Sequence, residues 1–466
     1  MNSIKKRIYY IFQIMAIAVC SVWGSVTVAA DDSEAETNVP ESIVVEATAE
    51  YPAPPEISAY AGILIDVDTG AIIYEKNIHE KLYPASITKI MTAFLAIENL
   101  ALEDTYTFTS EVLNSLPWDA AKYGYVAGEE VSIKDLINVL IIRSANEVAI
   151  GLANLISGSE EAFGELMTKR AKEMGALNTS FTNASGLHQD SHYTTAYDMA
   201  MIAIAASKNA TFADIWGKST YVVAPTNKND SEATIWNRHD MLVKTRANYY
   251  QYAIGGKTGY TDEAGRTLVT YASKDGMNLM CVVMKSSPTE YFTDTRALFE
   301  YGFNNFEKVS VSGNESRFGQ SQEGYFISRD NLFNQSGALL TVGNDYVTIP
   351  KDTQLSQIGY ELIYNQSGKN NVVADIKYTA GGHYLGKTSI ILNVDGSGDT
   401  DVSPYKKEEV KKQEERSQLT INIWWVTGIL SGLLVIFIVI KILKKTSKKR
   451  KAKRERKKLF KHNKLH

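Results

Sequence analysis

One stretch limits what this chain can fold into more than any other: Tyr83-Pro84-Ala85-Ser86-Ile87-Thr88-Lys89, with the apolar positions that follow it. Ile87, Ile90, Met91, Phe94 and Leu95 recur at helical spacing behind a proline suited to a helix entry. The spacing predicts an amphipathic helix with Ser86 in its first turn, running to about Leu100. Residues three apart share a helix face, so Ser86 and Lys89 come within hydrogen-bonding reach. A serine hydroxyl is a weak nucleophile until something takes its proton, and a neutral amine one turn away is able to do so. The helix start also offers unpaired N–H groups and a partial positive charge, which favour negative charge developing there. A capped helix start with an exposed lysine carries the same short signature, so the pattern alone decides nothing.

The surrounding chain supplies elements for such a helix to pack on. Ala61 to Gly70, followed by Ala71 to Glu75, reads as a strand, a turn and a second strand, with Asp68-Thr69-Gly70 providing the turn chemistry. Ser132 and Asp135 resemble a capping box, and Leu136, Val139, Leu140 and Ile141 give the next helix an apolar face. That helix ends at Arg143-Ser144-Ala145-Asn146-Glu147, and a buried helix of small residues resumes from Val148 to Ile156. Residues 176–186 form a loop, and Thr195 to Ser207 are helical. Ile254-Gly-Gly-Lys-Thr-Gly-Tyr260 is a strand entered through glycines, with Thr267 to Ala272 and Met277 to Met284 as antiparallel neighbours. Thr293 to Tyr301 closes this region as a helix. From 305 to 394 the pattern turns to short β-rich runs, a smaller β domain.

The 466 residues are enough for two or three domains with cores of their own. The net charge of −4 hides an asymmetry, because Lys444 to His466 carries about a dozen net positive charges and the rest is acidic. An acidic body argues against a nucleic-acid-binding surface. Residues 1–30 fit a secretory signal peptide, with Lys5-Lys6-Arg7 before an apolar segment and Val28-Ala29-Ala30 before Asp31. An uncleaved anchor fits the same segment. Residues 31–54, acidic and dotted with prolines, are expected to form a flexible leader. Residues 395–420 suit a polar stalk, and residues 421–443 suit a transmembrane helix with Trp424 and Trp425 at the interface. The basic tail, 444–466, then lies in the cytoplasm and the body outside, anchored to a bacterial membrane. Cys20 falls in the first apolar segment and Cys281 in a buried run, so no intramolecular disulfide is expected in a processed chain.

Three short elements stand in order: Ser86-x-x-Lys89, Ser144-x-Asn146 and Lys257-Thr258-Gly259. Together with Tyr83 to Thr92, Asn178 to Asn183, Gly186-Leu187, Tyr193 to Asp198 and Gly256 to Asp262, they resemble the D-alanyl-D-alanine carboxypeptidases, the low-molecular-mass penicillin-binding proteins. The likeness covers about residues 55 to 305. It implies an α+β fold: a β-lactamase/transpeptidase-like domain, with an antiparallel sheet and a helical region, over 55–304. The small all-β domain, 305–394, would follow. It implies peptidoglycan stem peptides as substrate and β-lactams as covalent inhibitors, with no cofactor or metal. Residue by residue, it makes Ser86 the acylated nucleophile, Lys89 its base and Ser144 a proton relay. Asn146 would hold the substrate amide, and Lys257 and Thr258 its terminal carboxylate. The backbone N–H groups of Ser86 and Tyr260 would form the oxyanion hole, with Gly259 beside them. The family often has histidine where Tyr260 stands, which leaves the helper side chain at that place unassigned. Asp198 and Arg266 are also without an assigned role.

Two other readings compete. Class A β-lactamases share the three elements but carry a deacylating Glu-x-x-Leu-Asn. Here Leu177-Asn178 has Met174 at that spacing, so slow deacylation of penicillin is expected. A membrane-anchored, non-catalytic sensor of β-lactams or wall peptides would need a signalling tail, and the basic tail has no recognisable domain. His188 and His192 have no third ligand pattern near them and are read as loop histidines.

Overall fold

The computed structural model describes residues 42–318, 338–364 and 371–394. Its centre is a five-stranded antiparallel sheet built from β1 (Ala61–Asp66), β2 (Ile72–Lys76), β3 (Ala253–Thr261), β4 (Gly265–Lys274) and β5 (Met277–Ser286). The strand order is β2-β1-β5-β4-β3, which leaves β3, the strand carrying Lys257-Thr258-Gly259, at an edge. Both sheet faces are covered, and the residues show it. Along β5, Met280, Val282 and Met284 join the larger core, while Leu279, Cys281 and Val283 join the smaller one, as a period of two requires.

The larger core is shared with α1 (Lys89–Asn99), α2 (Ile133–Arg143), α3 (Asn146–Ser157), α4 (Glu160–Glu173), α5 (Ala196–Ser207) and α6 (Ala210–Trp216). The other face is covered by α7 (Tyr291–Asn305), through Leu298, Phe299 and Phe303. Capping fixes where several helices begin. Ser132 Oγ accepts from the Asp135 N–H and donates to its carboxylate, and Thr195 and Asn209 cap α5 and α6. The helices α4 and α6 were not foreseen from the sequence. Their polar faces dilute the periodicity, although Ser159 and Asn209 mark their starts.

A second five-stranded sheet runs Ser42–Val45, Gly359–Tyr364, Val372–Ala380, His383–Val394, Ala338–Val342, with Ile376, Tyr378 and Leu385 in its core. Of the flexible leader expected over 31–54, residues 31–41 lie outside the described residues, and the strand Ser42–Val45 corrects the expectation for the remainder. Ile43, Val44 and Val45 are β-branched residues that pair with Tyr360 to Leu362, and the acidic residues around them hid that short run. Residues 46–54 are tied down as well. Tyr51 stacks on His383 with ring centres 4.1 Å apart and donates to the Ile73 carbonyl at 2.8 Å. A separate two-stranded sheet, Phe306–Ser310 with Tyr346–Pro350, meets the catalytic sheet where Thr348 donates to the buried Asp66 carboxylate and Lys308 pairs with Asp68 at 2.6 Å. The predicted signal peptide and the predicted membrane helix at 421–443 lie outside the described residues. Among the described residues no helix is long and apolar enough to cross a membrane.

Candidate active site

The helix expected to start around Pro84 starts one turn later. Ala85–Thr88 form a 3₁₀ turn, and the α-helix begins at Lys89. Ser86 therefore sits on a tight turn at the head of α1 rather than within it. Ala85 is held at φ 50°, a left-handed conformation that costs a non-glycine residue of order 1 kcal/mol or more. Two close approaches hold the turn. A Cβ on Gly186 would fall 1.9 Å from the Ala85 carbonyl oxygen, and one on Gly259 would fall 2.9 Å from the Ser86 nitrogen. Only glycine lets the loop of residues 182–187 and strand β3 come this near.

Lys89 is completely buried, and its Nζ lies 2.8 Å from Ser86 Oγ. The same nitrogen donates to the Ser185 carbonyl. Burial holds the Lys89 amine well below the ordinary lysine value, and the nearby Lys257 and Arg238 cations push it in the same direction. A neutral amine has two N–H bonds and one lone pair. With one N–H given to the Ser185 carbonyl, the lone pair is free to face the Ser86 hydroxyl.

Ser144 ends α2 at φ 62°, and Asn146 opens α3, so the junction between two helices presents both side chains to the cleft. Lys257 reaches this junction from β3: its Nζ donates to Ser144 Oγ at 3.0 Å and to the Thr258 carbonyl at 2.8 Å. Burial, then Arg238, lowers Lys257 to about 7. Asn146 is 4% exposed, and its Oδ1 is buried with no hydrogen-bond partner. Such an acceptor is costly to leave empty, and it suits a substrate N–H.

These groups open on a cavity of about 630 Å³ lined by Ser86, Ser144, Asn146, Thr258, Gly259 and Tyr260. The positive charges that line it are Arg238 and Arg266. Lys257, which the family resemblance puts on the carboxylate, is 1% exposed and stands behind this wall. Tyr260 is 48% exposed and donates to Asp262 at 2.7 Å, and the Arg266 guanidinium lies 4.3 Å from its ring centre. Arg266 thus lines the cavity mouth, and Asp198 accepts from Asn178 N–H and Thr179 Oγ1 to pin the loop to α5.

Sequence reasoning missed Ser185 and Arg238, since a backbone carbonyl and a lone arginine leave no pattern. His192 is no metal ligand. Its Nδ1 accepts from the Thr182 N–H, so Nε2 carries the proton and donates to Thr88 at 2.9 Å. Burial keeps that ring neutral, pushing it down to about 3. Among the described residues no group of three His, Cys, Asp or Glu side chains is arranged to hold a metal ion.

The family profile of D-alanyl-D-alanine carboxypeptidase (Peptidase_S11) matches residues 47–288. Among curated proteins, the D-alanyl-D-alanine carboxypeptidase DacF of Bacillus subtilis is 35% identical over 254 residues, which are 53% of this chain and 63% of that protein. DacA of Haemophilus influenzae is 29% identical over 74% of this chain and 83% of its own length. Among solved structures, the D-alanyl-D-alanine carboxypeptidase of Mycobacterium tuberculosis superposes with a TM-score of 0.50 at 28% identity, over 56% of this chain and 96% of that one. The Streptomyces K15 DD-transpeptidase does so at 0.51 and 26%, over 54% and 100%. With the profile spanning more than half of its length, this chain belongs to the D-alanyl-D-alanine carboxypeptidase family of serine peptidases.

Proposed function

We propose that this chain is a serine-type D-Ala-D-Ala carboxypeptidase, which removes the terminal D-alanine of peptidoglycan stem pentapeptides through an acyl-enzyme on Ser86. One observation supports it above all: Ser86 Oγ is 2.8 Å from the amine of a lysine that burial and two neighbouring cations hold well below the ordinary lysine value. Lys89 takes the Ser86 proton as Oγ attacks the penultimate carbonyl carbon. The oxyanion forms between the backbone N–H groups of Ser86 and Tyr260, where β3 passes the nucleophile turn. Lys257 and Arg238 add positive potential nearby. The proton then passes by way of Ser144 to the leaving amine, D-alanine departs, and water hydrolyses the ester. Asn146 Oδ1 accepts an N–H of the substrate backbone. Thr258, Arg238 and Arg266 meet the terminal carboxylate at the cavity wall, with Lys257 supporting them from behind.

A β-lactam presents an amide and a carboxylate in the same relation, so it acylates Ser86. Its ester persists because Met174 stands where class A β-lactamases carry a deacylating glutamate. The apolar segment of residues 1–30 directs export, and residues 421–443 anchor the protein with its basic tail in the cytoplasm. Protease added to intact protoplasts should then remove the body and spare the tail.

The activity is tested by incubating the protein with an acyl-D-Ala-D-Ala peptide and assaying free D-alanine. Release from the acid and little from the C-terminal amide supports the reading. Labelling by penicillin without any D-alanine release would favour a sensor instead.

A further inference from the structure

Two consecutive residues at the start of α3 grip one stretch of the cleft wall. The Asn146 N–H donates to the Ala121 carbonyl at 2.8 Å. Glu147 Oε1 accepts from the N–H of Tyr123 at 2.7 Å and of Gly124 at 2.9 Å. Gly124, at φ 112°, turns the chain so that two successive N–H groups converge on one oxygen. Residues 115–129 belong to no helix or strand, and their other anchors, the buried Tyr125 ring stacked on Phe108 and the Gly128 N–H on the Phe108 carbonyl, lie beyond the cleft end of the segment. Pro117, Asp119, Ala120 and Ala121 nevertheless line the cavity into which Ser86 and Asn146 open.

Glu147 is an expensive residue for a merely structural place. It is 1% exposed, and its second oxygen, Oε2, is buried with no partner. A buried carboxylate with half of its acceptor capacity unused costs free energy that a well-packed apolar side chain would not. What the carboxylate does in return is fix the wall to the helix turn that presents Asn146.

We propose that Glu147 is a positioning residue for the acylation step: it sets the gap between the Pro117–Ala121 wall and strand β3, so that a bound acyl chain is pressed against the Asn146 amide and Ser86. This inference rests on the reading of Ser86 as nucleophile. Reach, rather than charge, is what the wall requires. Misplacing a reacting group by about 1 Å costs on the order of a hundredfold in rate.

Two variants of the full chain separate reach from charge. Glu147→Asp keeps the carboxylate and shortens the arm by one methylene. Glu147→Gln keeps the length and one acceptor oxygen, and removes the charge. The measurement is the second-order rate of acylation by a labelled penicillin against pH, per molecule that finally becomes labelled, so that a misfolded fraction does not count. Glu147→Asp is expected to be slower by at least about tenfold, with the acid limb in place. Glu147→Gln is expected within about threefold of the wild type on the plateau, with the acid limb displaced to lower pH. The displacement follows because Glu147 is one of two acidic groups whose charge favours protonated Lys89. A Glu147→Asp protein that acylates as fast as the wild type, or a Glu147→Gln protein as slow as Glu147→Asp, overturns the proposal. A wild type that is never labelled, or is labelled at a residue other than Ser86 by peptide mass spectrometry, would overturn the parent reading instead.

Discussion

Burial removes Lys89 from water, and Lys257 and Arg238 disfavour a further positive charge beside them, so the amine gives up its proton far more readily than an exposed lysine does. The base form is lost as the pH falls through the lowered value, which sets an acid limb on acylation. Taking away the Lys257 cation lets Lys89 hold its proton more tightly, so Lys257→Gln should move that limb to higher pH. The same variant should slow acylation by acid, amide and β-lactam alike, by more than about tenfold, since a buried hydrogen-bonded charge partner is worth about 2–5 kcal/mol. Arg238→Gln should also move the limb to higher pH, but on the plateau above it should weaken the acid substrate much more than the amide. Stopped-flow acylation of the paired peptides distinguishes the two, and a loss confined to the acid in Lys257→Gln would return the carboxylate to Lys257. Stability carries a second sign. Lys257 is about 7 when folded and about 10.4 when unfolded, so its burial penalty is full below pH 7 and fades as the pH climbs to 10. Lys257→Met should therefore melt higher than the wild type at pH 7 and lose most of that advantage near pH 10.

Elements carry the geometry that these side chains need. The 3₁₀ turn of Ser86 is wedged between β3 and the loop of residues 182–187, each touching it through a glycine. Gly259→Ala would put a methyl 2.3 Å from Thr267 Oγ1 and 2.9 Å from the Ser86 nitrogen, which must push strand and turn apart. Melting should fall by about 1–3 kcal/mol, the usual cost of overpacking. Penicillin acylation should fall by far more than that loss of folded protein explains. Unchanged acylation would mean that β3 does not shape the site. Much of this arrangement was legible in the sequence, because spacing fixes which residues share a helix face and glycines mark where backbones meet. The ordered elements around Ser86, Ser144 and Lys257 all come to one cavity. What was not legible depends on contacts between distant segments. The carbonyl of Ser185 on Lys89, the place of Arg238, and Lys257 behind the wall rather than in it follow from packing, which no local pattern records. The turn at Ala85 was also hidden, since proline fits a 3₁₀ start as well as an α-helical one.

At the scale of the molecule, Ser42–Val45, ahead of the catalytic sheet, belongs to the second sheet, so residues on both sides of the catalytic region in sequence build one β structure. Tyr51 bridges the two sheets, by its stack on His383 and its hydrogen bond to the Ile73 carbonyl. Tyr51→Ala should cost about 3 kcal/mol of stability, as other large-to-small changes at aromatic sites do. Acylation per folded molecule should stay as it was, because no group that lines the cavity touches that ring. A calorimetric melt alongside penicillin labelling checks both halves, and a drop in labelling of the still-folded protein would show that the β structure steers the site. The central claim concerns one atom, Ser86 Oγ. The most direct measurement is mass spectrometry of the peptides of the penicillin-treated protein, wild type and Ser86→Ala. The account predicts a single acyl adduct on the peptide bearing Ser86, absent from a Ser86→Ala protein that melts like the wild type. An adduct on Ser144, Ser185 or any other residue, or one that survives in Ser86→Ala, would contradict it.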